Sequence, residues 1–165
     1  DRTTVEPIAV YTAGRLLVLI RDNRQRFDPD SLDNARQHLA ISDDHGATWH
    51  IETAPTVAEN ATTHRLAQPF VVEKPGSRTE LLVLTTERFR RPTTPGRVQL
   101  WRGDVMHTDW TREQVILEFP RIQGDPNTDF GYPWLLHLED DRWLMYFYHG
   151  RREGANPLWV AEIAL

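Results

Sequence analysis

The sequence predicts an all-β fold built from repeated four-stranded antiparallel units, and three observations predict it. A polar residue followed by proline opens an apolar run three times, at Glu6-Pro7, Gln68-Pro69 and Tyr132-Pro133, with the prolines 62 and 64 residues apart. Each is followed by two short runs rich in β-branched, aromatic and leucine residues, joined by a turn-forming segment. A tryptophan recurs after 61 residues, Trp49 and Trp110, each thirteen residues beyond an arginine, Arg36 and Arg97. Markers of different chemistry share one period. That is the pattern of propeller blades, in which the first strand of each unit lines a central channel and the fourth lies at the rim.

The elements follow in order. The first unit, about 4–57, has strands at 8–11 and 16–21 across the Ala13-Gly14 turn, a third at 37–41, and a fourth opened by Trp49. A competing local reading makes 31–38 a short helix capped by Asp30. The second unit, about 64–119, repeats the plan at 70–72, 81–84 and 98–101, with Pro75-Gly76 in the turn and Trp110 opening the fourth strand. The third, about 129–165, gives strands at 134–138, 143–148 and 158–163 and then reaches Leu165, so its outer strand is expected from elsewhere. Polar stretches at 22–34, 88–96 and 121–129 read as connections.

Composition excludes several classes. Without cysteine there is no disulfide, thiolate metal site or thiol nucleophile. No run approaches the roughly 20 apolar residues of a membrane-spanning helix. A net charge of -5 argues against a general nucleic-acid binder. No cofactor or metal motif is visible. The chain opens at Asp1 with neither an initiator Met nor a signal-like segment, as a processed or excised chain would. A period of about 62 divides the 165 residues into just under three units, fewer than the four or more of a closed propeller. Completing blades are expected from the same precursor or from a second copy.

Ser42-Asp43-Asp44-His45-Gly46-Ala47-Thr48-Trp49 reads S-x-D-x-G-x-T-W. It resembles the Asp-box of sialidase-like propellers with BNR repeats. In such a turn Ser42 and Asp44 accept from backbone N–H groups, Gly46 supplies positive φ, Thr48 closes the turn, and Trp49 packs between blades. The motif speaks to fold, not activity; the stretch before Trp110 is a degenerate version. Beyond the box, the order Glu6, Arg21, Arg97 and Gly131-Tyr132-Pro133-Trp134 is similar to the C-terminal half of a six-bladed sialidase. The resemblance implies that Glu6 and Tyr132 form the catalytic pair and that Arg21 and Arg97 belong to a carboxylate-binding triad. It also favours a secreted or periplasmic setting. The first triad arginine and the acid/base aspartate of a sialidase have no counterpart here.

The residue types suit the chemistry. An anomeric carbon that carries a carboxylate repels a carboxylate nucleophile, so a phenol activated by a neighbouring base attacks better. Arginine forks recognise a carboxylate bidentately. Gln68 shares the repeat position of Glu6 and Tyr132 and is expected at the same mouth. His149 ends a strand opposite Tyr132, and Asp129 either contacts sugar hydroxyls or caps a loop. Each residue also has a structural alternative: Glu6 as an exposed strand-opening carboxylate, Arg21 and Arg97 paired with acids such as Asp22 or Glu87, Tyr132 as an interblade aromatic, His149 as a packed histidine. Arg88, Arg90 and Arg91 read as a solvated loop or an anionic-glycan contact. The functions left open are part of an exo-glycosidase acting on acidic glycans, a glycan-binding half-propeller dimer, and a non-catalytic interaction propeller.

Overall fold

The computed structural model describes residues 4–23, 35–61, 64–89, 96–119, 128–151 and 156–165. Their regular elements are eleven β-strands. The first sheet holds β1 (Thr4–Thr12), β2 (Arg15–Asp22), β3 (Arg36–Ser42) and β4 (His50–Val57), and the second β5 (His64–Glu73), β6 (Glu80–Phe89), β7 (Gly96–Asp104) and β8 (Thr111–Phe119). The third has β9 (Thr128–Glu139), β10 (Arg142–Arg151) and β11 (Leu158–Ala164). Each sheet is an antiparallel meander and corresponds to one expected blade. Residues 36–38 of the competing helix lie in β3; 31–34 fall outside the described residues.

Alternation explains why the middle blade is apolar throughout. Leu81 and Val83 of β6 join Val71 and Trp101 in a core shared with Leu17, Leu19 and Leu39 of the first blade. The intervening Leu82 and Leu84, with Phe70 and Leu100, meet Phe130, Leu135, Trp143 and Met145 of the third. A strand buried on both faces reads as a continuous hydrophobic run, as Leu81-Leu82-Val83-Leu84 does. The same alternation corrects one expectation. β6 continues as Thr86 and Arg88 on the face turned to the third blade, and β9 starts at Thr128, so Arg88 and Asp129 are strand residues rather than parts of connecting loops.

The three proline sites are β-bulges, not strand openings. In β1, Val5 pairs with Arg21 and Ile8 with Leu19, leaving Glu6 and Pro7 unpaired. In β9, Gly131 pairs with Tyr148 and Trp134 with Tyr146, leaving Tyr132 and Pro133 unpaired. Proline suits such a place because it has no N–H to lose from the ladder. Glu6 and Tyr132 both take positive φ, 55° and 53°, a region that costs a non-glycine residue of order 1–3 kcal/mol. The β5 bulge falls between Leu66 and Pro69, one residue earlier relative to its proline, and Gln68 is not among the positive-φ residues.

The blades at either end keep apolar outer surfaces. Tyr11 and Ile51 are exposed on the first, and Trp134, Leu136, Leu158 and Val160 on the third. β11 has no second neighbour among the described strands.

Candidate active site

The bulges bring residues from the first and third blades together. The Tyr132 hydroxyl donates to Glu6 Oε1, although the two residues are 126 positions apart. Arg21 Nη1 donates to the other carboxylate oxygen, Oε2, at 2.8 Å. Arg21 follows Leu17 and Leu19 on the buried face of β2, and its side chain is only 10% exposed. Gln37, its partner on β3, is buried and ties the first blade to the second by donating to the Ala67 carbonyl at 2.9 Å.

Electrostatics assigns the protons. Burial works to raise the Glu6 carboxyl, but the hydrogen bonds from Tyr132 and Arg21 and the charges of Arg21 and Arg88 outweigh it and hold the carboxyl below its ordinary value. For Tyr132, burial raises the phenol first, and the Glu6 hydrogen bond and charge raise it further, against Arg88 and Arg21. The resting pair is therefore an ionised carboxylate accepting from a protonated phenol.

A second phenol and carboxylate stand beside the first. Arg88 Nη2 donates to the Tyr148 hydroxyl at 2.5 Å, and Arg88 Nη1 lies 3.3 Å from Asp129 Oδ1. The Tyr132 and Tyr148 rings are 5.5 Å apart. Burial is the main cause that pushes Tyr148 up to about 12. Tyr148 was not a sequence candidate, and Arg88 was read only as part of a solvated loop or an anionic-glycan contact. The readable signal was the period-two run Leu82, Leu84, Thr86, which predicts that Arg88 continues toward the third blade.

The other candidates are distributed differently. Gln68 is half-buried, and its Oε1 has no hydrogen-bond partner among the described residues. His149 packs against Phe119 and Phe130, with ring centroids 5.1 and 6.5 Å away, and burial lowers its pKa. Arg97 lies on the opposite face of the second blade from Arg88. It donates to Glu59 and approaches Glu87 at 3.8 Å, the ion-paired alternative left open by the sequence. Burial raises the pKa of Glu87, which has no exposed side-chain surface.

The Ser42–Trp49 turn occupies the end of the first blade away from Glu6, since Ser42 pairs with Leu16 while Gln37 pairs with Arg21. Ser42 Oγ accepts from the Gly46 N–H at 2.8 Å, and Asp44 accepts from both the N–H and the hydroxyl of Thr48, at 2.8 and 2.6 Å. Gly46 has φ 90°. Trp49 folds over its own turn, its Nε1 donating to the Gly46 carbonyl at 3.0 Å, and is 43% exposed among the described residues. Trp110, 8% exposed, packs toward the first blade, because Gly103 beneath it has no side chain to hold it off.

No protein-family model matches the chain, and no curated protein sequence matches it. Solved structures do. The α-L-arabinanase of Penicillium chrysogenum complexed with arabinobiose superposes with a TM-score of 0.70 at 19% identity, over 98% of this chain and 46% of that one. The GH93 α-L-arabinofuranosidase of Fusarium graminearum with arabinobiose gives 0.71 at 16% identity, over 98% and 45%. The fold is that of a β-propeller. A Trypanosoma rangeli sialidase also matches, at TM-score 0.49 and 16% identity over 96% of this chain and 30% of that one. These neighbours are propeller glycosidases. The chain spans less than half the length of the arabinanase and the arabinofuranosidase.

Proposed function

We propose that this chain carries one half of the catalytic mouth of a retaining exo-glycosidase, with Glu6 and Tyr132 at the reacting anomeric carbon. The observation that carries the reading is the Tyr132–Glu6 hydrogen bond, made between bulged residues of two blades and backed by Arg21. Strained backbone around a converging phenol, carboxylate and guanidinium is characteristic of sites where geometry serves chemistry.

For an acidic, sialic-acid-like sugar the steps follow the sequence reading. The Tyr132 oxygen attacks the anomeric carbon, its proton passes to Glu6, and the aglycone oxygen leaves with a proton from an acid supplied by further blades. Arg21 and Arg97 would hold the substrate carboxylate. In a second step water releases the sugar with retention.

A second reading is favoured by the engagement of both arginines, Arg21 with Glu6 and Arg97 with Glu59. Here the sugar is neutral, in keeping with the arabinobiose bound by the neighbours. Glu6, ionised and with its pKa lowered, attacks the anomeric carbon while Tyr132 orients it by hydrogen bonding. The aglycone oxygen leaves with a proton from an acid supplied by further blades, and water then hydrolyses the glycosyl ester on Glu6. In either case the partner is carbohydrate, and completing blades come from the same precursor or another copy.

Glycosyl donors with activated leaving groups need no acid catalyst, so they test this half-site directly. Incubation with a fluorinated sialosyl donor or a fluorinated arabinofuranosyl donor, followed by peptide mass mapping, reads the nucleophile. A sialosyl adduct on Tyr132 supports the acidic-sugar reading and an arabinosyl adduct on Glu6 the neutral one. A folded protein that neither donor labels is not a glycosidase half-site, and a glycan-binding or interaction propeller would then stand.

A further inference from the structure

We propose that Arg88 is the positioning residue of the Glu6–Tyr132 pair: reaching across from the second blade, it fixes Tyr148 and Asp129 against the flank of Tyr132 and so sets the angle at which the Tyr132 hydroxyl meets Glu6. The inference rests on the glycosidase reading and adds a residue to it.

Four observations converge. Arg88 is committed to the site, its side chain only 11% exposed, with one terminal nitrogen on the Tyr148 hydroxyl and the other near Asp129. Its guanidinium carbon lies 6.0 Å from the ring centroids of both Tyr132 and Tyr148, so one cation faces two aromatic rings that themselves stand 5.5 Å apart. The chain beside Tyr132 is shaped around it: a Cβ on Gly131 would come within 2.9 Å of Arg88 Nη2, and Gly131 has φ 143°. Finally, the Arg88 charge reaches both members of the pair, favouring the ionised forms of Glu6 and Tyr132.

The arrangement answers a mechanical question. Tyr132 sits on a bulge with positive φ, where the ladder does not hold the backbone, and its hydroxyl must meet a carboxylate from another blade. Arg88 supplies the support that the ladder lacks. A planar fork can hold Tyr148 and Asp129 together; a lysine, with one ammonium, cannot reproduce both contacts with the same geometry.

The test uses the whole protein labelled with fluorotyrosine, the Tyr132 resonance being assigned by Tyr132→Phe. In Arg88→Met the Tyr132 fluorine resonance is expected to shift and broaden. The first-order rate constant for labelling by whichever donor reacts should fall about 10–100-fold, as expected when reacting groups are misplaced by about an ångström, while the donor concentration at half-maximal rate stays unchanged. Arg88→Lys should recover little of the rate. Gly131→Ala, which crowds Arg88 from the other side, should move the same resonance. An unchanged resonance and labelling rate in Arg88→Met overturn the proposal, as does a loss of donor affinity with the rate constant intact, which would make Arg88 a substrate contact. If neither donor labels the unmodified protein, the glycosidase reading fails, while the fluorine resonance still decides whether Arg88 positions Tyr132.

Discussion

At one end of the first blade Ser42 and Asp44 find hydrogen-bond partners no more than four residues away, within the Ser42–Trp49 turn; at the other, Glu6 finds its partners 15 and 126 residues away. Both ends hold a carboxylate below its ordinary pKa. Asp44 is brought down to about 2, chiefly by the Thr48 hydroxyl and then by the Thr48 N–H and Ser42. Glu6 is lowered despite its burial, by groups from all three blades. The turn uses its carboxylate to close a loop and leaves it no capacity for anything else. The mouth leaves positive φ at both Glu6 and Tyr132, and the propeller around them holds that strain.

The sharpest way to break this contrast is Glu6→Gln, which keeps the side chain's shape and removes its basicity. Labelling or turnover should fall by roughly 10²–10⁴-fold, with the circular dichroism spectrum unchanged; retained activity would make the mouth as structural as the turn. Ser42→Ala should do the converse. It leaves the Gly46 N–H without its acceptor and should lower stability to urea by about 1–3 kcal/mol while sparing any mouth chemistry. At the same end of the blade, Ala13 has φ 51° ahead of Gly14, and Ala13→Asn should raise stability by up to about 1 kcal/mol. The smallest effect is the acid response of the turn. The folded-state pKa of Asp44 lies below its ordinary 3.8, so its contribution is present above about pH 4 and is lost as pH falls toward about 2. Asp44→Asn should flatten the urea-midpoint profile across that window and lower the midpoint at pH values above it.

The contrast also explains what the sequence disclosed. The Ser42 and Asp44 contacts to Gly46 and Thr48 were legible because those partners lie within four positions. The blades were legible because a period of about 62 and strict alternation are written along the chain. The shared repeat position placed Glu6 and Tyr132 at one mouth, and the family resemblance paired them, since nothing local links two residues 126 positions apart. Arg88 was read as part of a solvated loop or an anionic-glycan contact for a different reason: three arginines in four positions look like a loop, whereas β6 extends through Phe89 and makes Arg88 a strand residue. Gly103, the small residue that admits Trp110 against the first blade, carries no sign of that role in its own sequence neighbourhood.

β11 pairs with β10 on one side and exposes Leu158, Trp159 and Val160. A strand with one free edge and apolar side chains is a template, since its unpaired N–H and C=O groups can accept any extended segment of suitable register. The outer strand expected for the third blade would therefore have to enter extended along this edge, whichever chain supplies it, and cover those side chains as it pairs.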